Sequence, residues 1–166
     1  MGYERKKAKE LKRRYGKLAE SMHPYYDRID LRPLFELDDD GFLYIMEQVK
    51  GVGMLDLNET EIGNESIRRM AELEYVTELR IKSCHKVDND AIPFLDKING
   101  LELLHVKATG ITIDGLLQLK ELNTLKTLLF SDEQPENLPP KMKLLQAQFP
   151  HCEFIIDGKI WEEGNL

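Results

Sequence analysis

The most constraining feature of the sequence is a short apolar pattern that recurs at nearly equal intervals. Pairs of apolar residues separated by one position begin at Leu55, Leu79, Leu104, Leu128 and Phe154. Such L-x-L pairs within a period of about 20–29 residues are typical of leucine-rich repeats. The sequence therefore predicts an α/β leucine-rich-repeat solenoid, a short curved parallel sheet with helices on its convex side.

The N-terminal segment differs from the rest of the chain in charge. Apolar residues spaced by three and four positions from Ala8 to Met22 predict an amphipathic helix within residues 1–23. Residues 1–20 contain eight Lys or Arg and three Glu, a net charge of +5. The net charge of the whole chain is −7, so the other 146 residues carry −12. This helix either caps the repeats or docks on a partner, or it is a basic arm for nucleic acid or an anionic membrane.

We expect the repeat domain to cover residues 24–157 and a C-terminal tail to cover 158–166. Phe35-x-Leu37 precedes Leu55 by slightly less than one repeat period, so it is the candidate first strand. The run Asp38 to Asp40 lacks the alternating spacing of a calcium loop and is interpreted as a turn with a helix N-cap. In the tail, Trp161 is either a lid on the last repeat or an exposed anchor.

Polar residues near the start of each return segment are candidate N-caps. Asn64, Asp90 and Asp114 precede apolar residues at helical spacing, so we expect them to cap three short helices. The apolar residues of those helices are assigned to the core: Ile67, Met70, Leu73, Ile92, Leu95, Ile98, Leu116, Leu119 and Leu122.

The residue types argue against catalysis. Cys84 and Cys152 are the only cysteines. They fall on repeats three apart, roughly 14 Å at the usual strand spacing, which is too far for a disulfide, so we predict two free thiols in a reducing, intracellular compartment. Cys84 falls on a position of the repeat that favours packing over reactivity. We find no metal-ligand spacing and no phosphate-binding loop. His85 follows Cys84 and His151 precedes Cys152, but neither pair forms a nucleophile arrangement that indicates catalysis. The sequence predicts no enzyme, no cofactor and no metal. No apolar run is long enough to span a membrane, and no secretory signal is evident.

The best candidate site lies on the strands themselves. Side chains alternate along a strand, so the residues between and after the inward leucines point to the concave face. Arg80, Lys82, His105 and Lys107 then lie side by side and form a basic cluster suited to an acidic protein surface.

The surroundings of this basic cluster include an apolar flank, and the cluster also has an alternative interpretation. Leu129 and Ile155 add an apolar flank to the cluster. The alternative is a solvated face, in which Asp56 pairs with Arg80 across strands and contributes about 0.2–1 kcal/mol.

Residues 75–87, YVTELRIKSCHKV, together with the segments 129–132 and 149–154, carry a resemblance to a known family. They are similar to the second repeat and to later strands of the family of mitochondrial ATP synthase subunit s (coupling factor B) and the related distal membrane-arm assembly proteins, within a match over about residues 42–157. The family strand has two cysteines around one residue. Here Lys82 occupies the first place and only Cys84 remains, so a dithiol role is not implied.

The resemblance implies a non-catalytic accessory or assembly subunit of a respiratory-chain or ATP synthase complex, on the mitochondrial matrix side. Without it, the expectation is a cytoplasmic interaction module. Two alternatives remain: a nucleic-acid or anionic-membrane binder acting through the basic helix, and a ubiquitin-ligase-type substrate adaptor. The adaptor would need a larger helical module than the single predicted N-terminal helix.

Overall fold

The chain folds into one seven-stranded sheet whose strands lie side by side in sequence order, as seen in a computed structural model that describes residues 2–132 and 134–162. Neighbouring strands from β1 to β6 are parallel, β7 is antiparallel to β6, and β1 and β7 form the two edges, so the sheet is open. The strands are β1 Tyr25–Asp30, β2 Gly51–Asp56, β3 Tyr75–Arg80, β4 Leu103–His105, β5 Thr127–Phe130, β6 Glu153–Ile156 and β7 Lys159–Ile160.

Helical segments follow or precede the strands. They are α1 Gly2–Ser21, α2 Asp39–Ile45, α3 Asn64–Met70, α4 Ile92–Leu95, α5 Ile113–Leu116 and α6 Leu138–Gln148, with short 3₁₀ turns at Asn89–Ala91 and Pro135–Asn137. The predicted N-terminal helix and the predicted α/β class with parallel strands are thus confirmed. The helices of the middle segments are only four to seven residues long, so their stability comes from the apolar residues they bury rather than from helix propensity.

The core is a stack of the recurring apolar pairs. Leu55, Leu79, Leu104, Leu128 and Phe154 are register partners on five successive strands, and each is at most 3% exposed. Full burial of each such side chain stabilises the fold by about 1.5–3 kcal/mol. The nine residues assigned to the core from sequence are all buried, although only five of them lie within the short helices and four follow the helix ends. The spacing of the pattern therefore locates β2 to β6 along the chain.

The first strand lies upstream of its predicted place. β1 carries the buried Ile29, which is the register partner of Leu55, whereas Phe35 lies in a turn and is 66% exposed. The Leu37 amide donates back to the Leu34 carbonyl at 2.8 Å and closes that turn. The assignment of Phe35-x-Leu37 as the first strand is wrong, although Leu37 is buried beneath the turn.

The predicted N-caps are also wrong, by one or two positions. The N-cap residues are Gly63, Asp88 and Thr112, each directly after a buried aliphatic residue. Asn64 lies just inside its helix, accepts a hydrogen bond from the Asp88 backbone amide at 3.1 Å, and donates to the Asp88 carboxylate at 2.8 Å. Its side chain joins two successive segments instead of capping its own helix.

The same bridging occurs three times and forms what we call the cap ladder, which consists of Asp39, Asn64 and Asn89 at equal intervals of one repeat period. Asn89 accepts from the Thr112 amide at 3.0 Å and donates to the Thr112 hydroxyl at 2.9 Å. Asp39 accepts from the amides of Gly63 and Ser66 at 2.8 and 3.0 Å. Because Gly63 has no side chain to cap α3, the carboxylate of the preceding segment satisfies these donors.

The N-terminal helix packs on its own chain. Tyr15 of α1 is buried, and Leu11 and Leu18 pack against the core. A Cβ added at Gly41 of α2 would lie 2.7 Å from the Tyr15 ring, so glycine permits this close approach. Met22, at the end of the predicted apolar stripe, is also buried.

The C-terminal segment extends the sheet beyond its predicted end. Asp157 and Gly158 both have positive φ, 51° and 85°, and form a short hairpin loop that returns the chain as β7. Trp161 is partly buried against the core, and its amide donates to the Phe154 carbonyl at 2.8 Å. Part of the predicted tail, residues 163–166, lies outside the described residues.

Candidate interaction face

The side chains that point away from the helices form a surface that we call the open face. Along its central row, Asp56, Arg80, His105, Leu129 and Ile155 are register partners on β2 to β6. Each of them follows directly after an inward apolar residue, because side chains alternate along a strand. The sheet therefore converts a spacing of one repeat period in sequence into a row of neighbours in space.

All four predicted site residues lie together on this face. Arg80 and His105 are direct register partners, and Lys82 and Lys107 follow them two positions later on the same side. The Lys107 carbonyl accepts from the Ser83 amide at 2.9 Å, which holds the two strand ends side by side. We call these four residues the basic cluster.

The surroundings of His105, the histidine of the basic cluster, lower its pKa. Partial burial is the main cause that lowers the pKa of His105, and the positive charges of Arg80, Lys82 and Lys107 lower it further, while Asp56 opposes them. The imidazole is therefore largely neutral near pH 7 and adds a hydrogen-bonding ring rather than a fourth charge.

Each cation of the basic cluster has a carboxylate partner in its own chain. These contacts, at 3.2 to 3.6 Å, are longer than the roughly 2.7–2.9 Å of a strong charge-assisted hydrogen bond. The groups are also about a third exposed or more, so each pair contributes about 0–1 kcal/mol. A partner carboxylate can replace such contacts at little cost. The pairs are Arg80 with Glu78, Lys82 with Glu59, and Lys107 with Asp157.

The pair between Asp56 and Arg80, which belonged to the alternative of a solvated face, does not form. Arg80 contacts Glu78, whereas the buried Asp56 carboxylate lies 3.5 Å from the Arg32 guanidinium. Arg32 also makes two hydrogen bonds to Asp30, at 2.9 and 2.6 Å, and this contact lowers the pKa of Asp30 to about 2. The sequence pattern does not point to Arg32, because Arg32 follows β1 and the pattern places the first strand too far along the chain.

An apolar area borders the basic cluster, as predicted. Leu129 and Ile155 are half-buried beside His105. The structure adds Ile160, the register partner of Ile155 on β7, which is 55% exposed. The pair Asp157-Gly158 is a strong hairpin signal and would have revealed this extra strand.

Phe35 lies at the other end of the face. Its exposed ring helps to line a depression of about 460 Å³, together with Arg32, Pro33, Glu59 and Lys82. An exposed aromatic side chain beside charged groups is the composition of many protein–protein anchor sites. The sequence pattern places Phe35 on a strand and so removes it from consideration as a surface anchor.

The acidic run after this turn serves three separate contacts. Asp38 caps α2 by accepting from the Gly41 amide at 2.9 Å, as predicted. Asp39 belongs to the cap ladder, and Asp40 pairs with Lys7 of α1 at 2.8 Å. Within residues 2–132 and 134–162, the structure brings together no three side chains of the types that hold a metal ion.

Both cysteines are free thiols, as predicted, and both are shielded. Cys84 is buried, contacts the Leu57 carbonyl at 3.1 Å, and lies 3.7 Å from the Thr60 hydroxyl, which matches its assigned packing position. Burial raises the pKa of Cys84, and burial also raises the pKa of Cys152 to about 12. Neither thiol forms an appreciable thiolate near neutral pH.

The described part of the chain contains no helix that is both long enough and apolar enough to cross a bilayer.

The fold and face define a mostly parallel α/β sheet protein with a mixed charged and apolar surface. No protein-family model matches the chain. The chain is similar to human "ATP synthase subunit s, mitochondrial", with 29% identity over 98 residues. That match covers 54% of this chain and 49% of the human protein, so the chain spans about half the length of this relative. The resemblance expected from sequence is therefore supported as a weak similarity over about half of the chain.

Proposed function

We propose that the chain is a leucine-rich-repeat interaction module that acts as a non-catalytic accessory or assembly subunit of a larger mitochondrial complex, on the matrix side. Its open face, concave in a solenoid of this kind, would bind an acidic segment of a partner protein through Arg80, Lys82, His105 and Lys107. The similarity to a subunit of mitochondrial ATP synthase supports this role. A single sheet with a repeated core and a varied surface suits binding to other macromolecules.

The observation that carries the proposal is the alignment of the basic cluster on two neighbouring strands. In the structure, Arg80 uses one guanidinium nitrogen, at 3.2 Å from Glu78, and its Nε is buried without a hydrogen-bond partner. An arginine that uses so few of its donors can still form a two-point contact with an incoming carboxylate. Lys82 and Lys107 would add charge at the border of that contact.

The apolar flank beside the basic cluster requires the partner segment to present apolar side chains as well as carboxylates. Leu129, Ile155 and Ile160 would lie against aliphatic or aromatic side chains of the bound segment. Apolar contacts at the centre and charged contacts at the border are the usual composition of a specific protein interface. The partner segment should therefore carry carboxylates along one side and apolar residues along the other.

Affinity capture with matched charge reversals tests this function. Tagged wild-type chain, the variant R80E/K82E and the control K86E/K126E are expressed in the source cells and purified under native conditions. Lys86 and Lys126 are exposed residues outside the basic cluster, and the two variants have the same net charge. We expect the first variant to recover a defined partner complex about tenfold less well, because two desolvated contacts become repulsive. The control should recover it as wild type does.

Thermal unfolding of each variant separates loss of binding from loss of folding. If R80E/K82E is unstable, the neutral variant R80Q/K82Q replaces it and should show the same direction of change. Equal recovery of the complex by wild type and the folded cluster variant would show that the basic cluster is not the binding site.

A further inference from the structure

The helix α1 has two faces with different partners. Its apolar residues Leu11, Tyr15 and Leu18 face the core of the chain. At about 100° per residue, Lys6, Lys9, Arg13 and Lys17 fall within an arc of about 80° on the opposite side. Glu20 falls within the same arc and Glu10 lies beside it, so this side is mostly but not entirely basic. The distance between the first and the last of these four is about 16 Å along the helix axis. All four are exposed.

Most basic residues of α1 are not used by the fold. The eight Lys and Arg of the helix include two that pair with carboxylates of the body, Lys7 with Asp40 at 2.8 Å and Arg14 with Glu36 at 3.2 Å. The other six have no carboxylate partner among the residues that the structure describes. We call them the α1 stripe: Arg5, Lys6, Lys9, Lys12, Arg13 and Lys17.

This isolation contrasts with the open face, where each cation of the basic cluster has an acidic neighbour. Like charges on one side of a helix repel one another, so an unpaired stripe lowers the stability of the free helix. An anionic ligand would remove that repulsion. The rest of the chain carries −12, and the cations of the basic cluster on the open face are paired with carboxylates, so a polyanion is directed to α1.

The side chains of the α1 stripe discriminate between classes of anionic ligand. A membrane-surface helix must insert its apolar face, and here that face is packed against the body of the chain. A protein interface needs a desolvated centre with apolar or aromatic anchors and few lysines, whereas the stripe is formed by four lysines and two arginines. Flexible cations without an apolar anchor are suited to phosphate groups, which they contact while both remain hydrated.

We propose that the α1 stripe binds the phosphate backbone of a nucleic acid strand, without reading its sequence. Tyr3 is 75% exposed near one end of the stripe and offers a ring on which an unpaired base can stack. This feature favours a single strand over a duplex. The surface is separate from the open face, so the two can be occupied together.

Fluorescence anisotropy with a labelled single-stranded RNA oligonucleotide tests the proposal on the full chain. If all six cations contact phosphates, the logarithm of affinity should fall with the logarithm of salt at a slope of about −4, and affinity should drop about 300-fold between about 50 and 200 mM salt. The variant K6Q/K9Q/R13Q/K17Q should bind far more weakly and lower the slope to about −1.4. The control K86Q/K97Q/K120Q/K126Q removes the same charge from exposed sites elsewhere and should bind as wild type does.

Binding measurements with other ligands distinguish a single-stranded nucleic acid from a duplex, an acidic protein or a membrane. Single-stranded DNA of the same length should bind comparably, and duplex DNA more weakly, because stacking on Tyr3 needs an unpaired base. The proposal is overturned if wild type fails to bind RNA at low salt, or if the stripe variant binds as tightly as the control. Binding to poly-glutamate or to vesicles of mixed phosphatidylserine and phosphatidylcholine, but not to RNA, would assign the stripe to an acidic protein or to a membrane instead. None of these results bears on the open face, which the R80E/K82E experiment tests separately.

Discussion

The two sides of the sheet follow different rules. The inward side repeats large apolar residues from β2 to β6, with leucine at the recurring register position on β2 to β5 and phenylalanine on β6. The outward side changes at each strand, from Asp56 to Arg80, His105, Leu129 and Ile155. Packing forces the first side to be uniform because each leucine must fit between its neighbours. The second side is free to differ, and that freedom is what a binding surface needs.

The largest difference between the two sides should appear on deleting an inward side chain. Leu79 is fully buried between Leu55 and Leu104. We expect Leu79→Ala to lower the free energy of unfolding by about 3 kcal/mol, through lost transfer free energy and the cavity that remains. Denaturant unfolding measures this value. Leu144, which is 61% exposed on α6, is the control, and Leu144→Ala should change stability by less than about 0.5 kcal/mol. A small effect at Leu79 would mean that the stack tolerates gaps.

The cap ladder should show the next largest effect. Asp39→Ala removes the acceptor of the Gly63 and Ser66 amides, in a region where both residues are buried. Unsatisfied buried donors cost about 1–3 kcal/mol, so we expect a loss of about 2 kcal/mol in the free energy of unfolding.

Asp40→Ala is a matched control, since it removes the neighbouring carboxylate and only an exposed ion pair with Lys7. Its effect should be below about 1 kcal/mol. Similar losses for the two variants, measured by urea unfolding under identical conditions, would contradict the assigned role of Asp39.

The smallest effect should appear on the outward side and depend on pH. The lowered pKa of His105 means that the unfolded chain binds its proton more readily than the folded chain does. Stability from this group is therefore complete above pH about 6.5 and is lost as pH falls from that value through the folded pKa.

His105→Gln should reduce the loss of stability between about pH 7.5 and pH 5, as measured by urea unfolding at each pH. His151→Gln, at an exposed position after α6, should retain the wild-type pH dependence. An unchanged pH dependence in the His105 variant would show that neither burial nor the neighbouring cations lower the pKa of this imidazole.

A regular spacing allowed much of the molecule to be predicted. The positions of β2 to β6, the core residues of the short helices, the N-terminal helix and the packing role of Cys84 all follow from apolar residues that recur with the period of the strands. The four residues of the basic cluster were also found from sequence, because alternation along a strand assigns each of them to the outward side. For these residues, the local pattern and the tertiary structure assign the same side chains to the inward and outward sides.

Other features depended on contacts between distant segments. The true first strand was missed because Ile29 has no leucine pattern around it and is identified only by its register with Leu55. The N-cap of α3 was misplaced by one position because Asn64 bonds to the following segment, and the Asp39 carboxylate of the preceding segment accepts from the Gly63 amide. The pattern also indicates the cations but not their acidic neighbours Glu59 and Asp157, since those side chains meet them only when the strands lie side by side.

The sequence by itself thus determined the buried residues of β2 to β6 and the order of these strands, because burial there has a period that can be counted along the chain. Only the tertiary structure decided how charge is distributed over the surface. It neutralised the basic cluster of the open face pair by pair, and it left the α1 stripe without carboxylate partners among the described residues. The physical reason is that an ion pair depends on a separation of a few ångströms between side-chain atoms, and the order of residues does not contain that distance.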